Sequence, residues 1–141
     1  MTAEDLKRIA AETAARRIES GQRVGLGTGS TTKYFIEALA VRLRTREIRD
    51  LVGVPTSKRT EDLARALGIP LATLDEIAAL DVAVDGADEV APDLDLIKGL
   101  GGALLREKIV AAASKHFIVI ADQGKLVSRL GERSPVPVEI L

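Results

Sequence analysis

Cysteine is absent from the 141-residue chain, which removes disulfides and thiolate metal ligation and leaves any redox chemistry to a borrowed cofactor. Histidine occurs once, at His116, too few to build a zinc centre. Aromatic residues make up 2%, so the core must be filled by Leu, Ile, Val and Ala, a choice suited to closely packed helix and parallel-strand layers. Neither sign of charge dominates. With 20 basic residues against 21 acidic ones and no block of like charge, there is no electrostatic footprint for nucleic acid or an anionic membrane, and the expected partner is a small molecule. Met1-Thr2-Ala3-Glu4-Asp5 carries acids where a secretory leader needs positive charge. No uncharged run approaches the roughly 20 residues of a membrane span, so the expected location is the cytosol. Internal repeats and low-complexity segments are also missing.

The residues that are present, 46% hydrophobic and 29% charged, have the balance of a globular protein, and the length fits one ordinary domain. Leu6, Ile9, Ala10, Thr13, Ala14 and Ile18 form a stripe at helical spacing over residues 3–19, before Gly21. Arg23–Gly27 reads as a strand opening into Thr28–Thr32, and Tyr34, Phe35, Ala38, Leu39 and Leu43 give a second helix. Leu51–Val54 is a strand stopped by Pro55, and Thr56 or Ser57 caps a helix ended by Gly68. Pro70–Leu74 is read as a weaker strand, Asp75–Leu80 as a short helix and Asp81–Val84 as a central strand. Residues 90–102 read as a loop, 103–115 as a helix, and Phe117–Ala121 as another buried strand. Helices alternating with apolar strands predict an α/β fold, a Rossmann-like open parallel sheet with helices on both faces. Val136–Leu141 looks like the start of a strand, and the chain is expected to continue beyond it.

In such a sheet a ligand sits outside the carboxyl ends of the strands. Those ends carry Gly27–Thr32, then Thr56 and Ser57, then Asp85–Glu89, then Asp122 and Lys125, whereas Gln22, Asp50 and His116 at the opposite ends offer much less. Gly27-Thr28-Gly29-Ser30-Thr31-Thr32 lets backbone N–H groups approach an anion at a helix N-terminus, which suits phosphate. The same residues also read as a plain turn with Ser30 or Thr31 as N-cap. Ser30 stands where a dinucleotide fingerprint needs its third glycine, and no Gly-Lys-Ser/Thr occurs, so a phosphate monoester fits better than a nucleotide.

Asp85-Gly86-Ala87-Asp88-Glu89 places three carboxylates in five residues. Like charges so close either share a proton or hold a cation between them. Capping of a following helix and a magnesium site remain alternatives, although Ala91-Pro92 interrupts any helix within a turn. Glu107 shares its helix face with Ala103, Leu104, Val110 and Ala111, an apolar setting that would raise its pKa and suit a general base; the bland reading is a surface Glu paired with a neighbouring cation. Lys98, in a glycine-rich loop, is placed to meet a developing oxyanion or else is a solvated lysine. His116, near the predicted helix end, reads as structural.

Val84–Glu89, Ile97-Lys98-Gly99 with Gly101-Gly102-Ala103-Leu104, and Arg106-Glu107-Lys108, behind Gly25–Thr31, together resemble the type A ribose-5-phosphate isomerases in order and spacing. The resemblance implies interconversion of D-ribose 5-phosphate and D-ribulose 5-phosphate in the pentose phosphate pathway, with no metal or organic cofactor, by a homodimer or tetramer. It implies substrate binding by Thr28, Gly29, Ser30 and Thr31, by Asp85, Gly86, Ala87 and Asp88, by Lys98, Gly99, Leu100 and Gly101, and by Lys125. Glu107 falls on the proton acceptor. Leu100 departs from the family's usual glycine. Residues 1–130 then form the Rossmann-like sugar-phosphate-binding catalytic domain, and 131–141 a connection toward the family's second small α/β domain, missing here. Moving a carbonyl between carbons 1 and 2 needs a base, for which Glu107 is the candidate, and a cation for the enediolate, for which Lys98 is. Asp85 is the first choice for opening the sugar ring and Asp88 the alternative. A non-catalytic phosphosugar-sensing domain is the rival reading, disfavoured because a sensor needs neither Glu107 nor Lys98; an inactive fragment of the isomerase is another.

Overall fold

The computed structural model describes all of residues 1–141. Thr2 and Asp5 open helix α1 (Ala3–Ala15) with a reciprocal capping box, Asp5 N–H donating to the Thr2 hydroxyl and Thr2 N–H to the Asp5 carboxylate. There follow β1 (Arg23–Leu26), α2 (Ser30–Arg44), β2 (Val52–Pro55), α3 (Lys58–Ala66), β3 (Leu80–Asp85), the two-residue strands β4 (Glu89–Val90) and β5 (Leu96–Ile97), α4 (Leu104–Ala112), β6 (Ser114–Val119) and a 3₁₀ turn at Gln123–Lys125. No helix is long and apolar enough to cross a membrane.

Four strands form one parallel sheet in the order β2-β1-β3-β6. Alternation along β1 and β3 divides the core. Val24, Leu26, Val82 and Val84 face a layer built by α1 and α2 with Ala64 of α3, whose largest buried side chains include Phe35, Ile36 and Leu39. Ala83 faces the opposite side with Val54, Leu80 and Val110 of α4. Gly25 makes that second layer close-packed: a Cβ there would fall 2.6 Å from a Val110 methyl and 2.8 Å from Ala83. Helices thus cover both faces. After β1 the chain passes to β2 on one side and then returns to β3 on the other, so the loops after β1 and β3 diverge and leave a crevice between them.

Several expectations change. Helix α1 stops at Ala15, and its buried face is Ala11, Ala14 and Ala15, continued by Ile18, whereas Leu6 and Ile9 are exposed; small residues allow α1 to lie close to α2. Pro70–Leu74 forms only an isolated bridge, Leu71 to Gly53. Asp75–Leu80 forms no helix: Leu74–Glu76 is a turn, with Ile77 N–H bonded to Thr73 O, too short a segment to carry the cost of helix nucleation, and Leu80 already opens β3. Residues 90–102 contain the antiparallel pair β4–β5, turned at Pro92-Asp93. Strand β6 begins at Ser114, three residues before the expected start, because it is an edge strand on which Lys115 and His116 remain exposed; His116 pairs with Val82 and does not lie at a helix end. Residues 136–141 are coil, not strand, and Glu139 accepts a hydrogen bond at 2.6 Å from Leu105 N–H at the start of α4.

Candidate active site

The crevice between β1 and β3 is the place where the chain collects its polar residues. Beyond Leu26 the backbone passes directly over β3. A Cβ on Gly27 would fall 2.7 Å from the Asp85 Cα, so only glycine permits that approach, and Gly27 N–H bonds to Val84 O. A hydroxyl cluster fixes the loop to the first turn of α3. Thr28 Oγ1 lies 2.8 Å from both Thr56 Oγ1 and Ser57 Oγ, while the Thr56 and Thr60 hydroxyls donate to Leu26 O and Gly27 O. Ser57 also caps α3, accepting from Thr60 N–H. Helix α2 has Gly29 as N-cap and no side-chain cap, so its first-turn N–H groups and dipole face the crevice. Thr32 lines the crevice with its hydroxyl buried and without a partner.

Asp85, at the end of β3, is buried. Its Oδ1 accepts from Gly86 N–H at 2.7 Å and Thr28 N–H at 3.2 Å, and its Oδ2 lies 3.2 Å from Lys98 Nζ. Lys98, delivered by β5, lies equally 3.2 Å from Glu107 Oε1 and donates to Gly86 O at 2.5 Å. Glu107 occupies the first turn of α4, one turn before Val110, and is buried against the sheet. Burial pushes the Asp85 carboxyl above the usual aspartate range, against the pull of Lys98 and two backbone donors. Burial also raises Glu107, and the nearby Asp85 charge adds to it; Lys98 only partly offsets both. The Lys98 ammonium thus stands between Asp85 and Glu107, not among the three carboxylates of Asp85–Glu89, of which it touches Asp85 alone.

Asp88 shares the crevice, with its Oδ2 held by Leu100 N–H at 3.1 Å. Glu89 does not share it. The two-residue β4 turns Glu89 to the opposite side, where it is 1% exposed and accepts from three backbone N–H groups. The capping alternative for Asp85 lapses, since β4 rather than a helix follows.

Thr28, Gly29, Ser30, Thr31, Asp85, Gly86, Ala87, Asp88, Lys98, Gly99, Gly101, Glu107 and Lys125 all line this one cleft, and Ala87 is the one apolar member, so its complement is a polar ligand. Leu100 does not line it; its side chain is exposed and only its backbone N–H reaches the site. Thr32, the last residue of the predicted phosphate loop, lines the cleft as well. Two further residues escaped the sequence reading: Arg59 lines the cleft, and Lys7 Nζ, on α1, reaches Ser30 Oγ at 3.1 Å. Arg59 had one available signal, a cation on the first turn of a helix, where the dipole disfavours it. For Lys7 no sequence signal exists, because its contact with Ser30 arises only when α1 packs on α2.

The model of the ribose 5-phosphate isomerase A (phosphoriboisomerase A) family matches residues 52–141. The chain is 58% identical over 135 residues to ribose-5-phosphate isomerase A of Roseiflexus castenholzii, covering 96% of this chain and 58% of that protein. It is 55% identical to the enzyme of the same name from Deinococcus radiodurans, covering 100% of this chain and 62% of that one. A solved structure of D-ribose-5-phosphate isomerase in complex with phospho-erythronic acid superposes with a TM-score of 0.94 at 52% identity, covering 96% of this chain and 59% of the other. The chain thus spans about three fifths of the length of these relatives.

Proposed function

This chain belongs to the ribose 5-phosphate isomerase A family, and on that premise we propose that it interconverts D-ribose 5-phosphate and D-ribulose 5-phosphate through an enediolate, as a step of the non-oxidative pentose phosphate pathway. The observation that carries this reading is the Asp85–Lys98–Glu107 arrangement: two buried carboxylates of raised pKa, 3.2 Å either side of one ammonium, beside a helix N-terminus suited to phosphate. The phosphate goes to the first turn of α2, with Thr28–Thr31 and the partnerless Thr32 hydroxyl as donors and Lys125 as counter-charge. The phospho-erythronic acid bound by the related isomerase combines a phosphate with a carboxylate on a short hydroxylated chain, and this cleft has complements to both ends.

In the open-chain aldose, Glu107 removes the carbon-2 proton. The C–H electron pair becomes the C1=C2 double bond, and negative charge passes to the carbonyl oxygen, where Lys98 stabilises it. Transfer of the carbon-2 hydroxyl proton to that oxygen and return of the Glu107 proton to carbon 1 give the ketose, so no electrons leave the substrate. Asp85, whose raised pKa suits it to carry a proton, is assigned ring opening, with Asp88 as the alternative. The reading extends to a cytoplasmic homo-oligomer, which sedimentation of the purified protein tests.

Incubation with ribose 5-phosphate in heavy water is the direct test. Deuterium should enter carbon 2, read by NMR, and Glu107→Gln should abolish its entry. Binding of substrate with no exchange would instead favour a phosphosugar sensor.

A further inference from the structure

Glu89 is a fully buried carboxylate with no part in the chemistry above, and its charge is balanced by no side-chain cation. Its Oε1 accepts from Gly131 N–H at 2.8 Å, and its Oε2 from Arg133 N–H and Ser134 N–H at 2.7 Å each. Burial alone would raise its pKa, but the backbone donors outweigh that and hold it below the usual glutamate range. Three charge-assisted bonds from one short stretch define a strap, residues 131–134, clamped to β4. The strap is also joined to the loop that carries Lys125. The Arg133 guanidinium donates to Gly124 O at 2.7 Å, immediately before Lys125, and Val127 N–H donates to Val90 O at 3.0 Å, two residues after it. Lys125 is thus bracketed by contacts that originate at Glu89 and Val90, while Asp88, the residue just before this short strand, stays in the cleft.

We propose that Glu89 is a positioning residue: by clamping the 131–134 strap it sets Lys125 against the substrate's phosphate, in register with Asp88. This rests on the phosphate-ester reading of the cleft. A purely structural Glu89 would loosen the protein without distinguishing phosphate binding from proton transfer. A positioning Glu89 acts on the first and spares the second, because Glu107 and Lys98 lie on other elements.

The test is a double-mutant cycle on the affinity for inorganic phosphate, measured by titration calorimetry with the wild type, Glu89→Gln, Lys125→Ala and the pair, with circular dichroism confirming the fold. Glu89→Gln should weaken binding by about 2- to 30-fold and have no further effect once Lys125 is gone. It should raise KM for ribose 5-phosphate while kcat stays within about twofold. If Glu89→Gln does not fold, Arg133→Ala, which removes the tie to Gly124 and an exposed ion pair with Glu132, takes its place in the same cycle. Additive losses in the cycle, or unchanged phosphate affinity, overturn the inference, as does a wild type that binds no phosphate. A wild type that binds phosphate and completes the cycle as expected, yet neither isomerises nor exchanges, overturns the activity and leaves the positioning role standing.

Discussion

Lys98 uses its three donors on Asp85, Glu107 and the Gly86 carbonyl, and this single ammonium sets the character of both carboxylates. Burial raises the pKa of both, and the Lys98 charge pulls each part of the way back toward ionisation. Two consequences follow for Glu107. Proton abstraction needs the carboxylate form, so the acid limb of kcat/KM should fall at a higher pH than an ordinary glutamate, near ~4.3, would give. The folded state also holds the Glu107 proton more tightly than the unfolded chain does. Its contribution to stability is therefore fully present below the unfolded value and is lost as pH rises through the raised folded one. Glu107→Gln should accordingly cost about 10²- to 10⁴-fold in isomerisation, yet leave the protein as stable as the wild type at pH 7, or stabler by about 0.5–2 kcal/mol. Thermal melts at pH 5 and 8 check it: the variant's advantage must grow with pH, and a variant less stable at both values would contradict the assignment. For Asp85 the discriminating measurement is substrate form. Asp85→Asn should lose far more rate on ring-closed ribose 5-phosphate than on open-chain ribulose 5-phosphate, and equal losses on both would remove the ring-opening role.

At the scale of elements, the Asp85–Lys98–Glu107 geometry depends on how closely α4 approaches the sheet. Gly25 has no Cβ, so Val110 can pack against the backbone of β1, and Glu107, one turn earlier on α4, arrives within reach of Lys98. Gly25→Ala should force the helix outward, costing roughly 1–3 kcal/mol by overpacking and, if Glu107 shifts by about 1 Å, on the order of 10²-fold in rate. Paired urea titrations and assays check it; a rate loss no larger than the stability loss explains would mean that α4 does not set the base. This dependence was only partly legible in the sequence. The strand–glycine loop–helix unit at Arg23–Thr32 and the buried face of Glu107 could be read because periodicity and glycine chemistry are local signals. The β4–β5 pair could not be, since two-residue strands have no periodicity, and yet it is this pair that sends Asp88 into the cleft and Glu89 away from it. Leu6 and Ile9 misled for a related reason: helical spacing marks a stripe, but alanines decide which side of α1 can lie against α2.

On the scale of the whole molecule, the cleft is where the loops after β1, β3 and β5 meet the first turns of α2 and α4, and ligand binding must therefore join both core layers. Its lining sets three carboxylates, Asp85, Asp88 and Glu107, against three cations, Arg59, Lys98 and Lys125. Lys98 is already committed to two of the carboxylates, so the positive charge available to an incoming phosphate lies with Arg59 and Lys125, together with the end of α2. A dianion bound there should stabilise the fold as a unit rather than order one loop. At a hundred times its dissociation constant, phospho-erythronic acid should add about 2.7 kcal/mol, which for a chain of this size is roughly 5–10 °C in Tm. Because Arg59 is exposed, its share of the attraction is screened by salt, whereas the contribution of the α2 N–H groups is short-range. Arg59→Ala should therefore reduce the Tm gain by more at low ionic strength than at high. Scanning calorimetry with and without the ligand, at about 0.01 and 0.5 M salt, separates the two. The same reduction at both would place Arg59 in direct contact with the phosphate, and no reduction at either would leave the glycine loop and Lys125 to hold it.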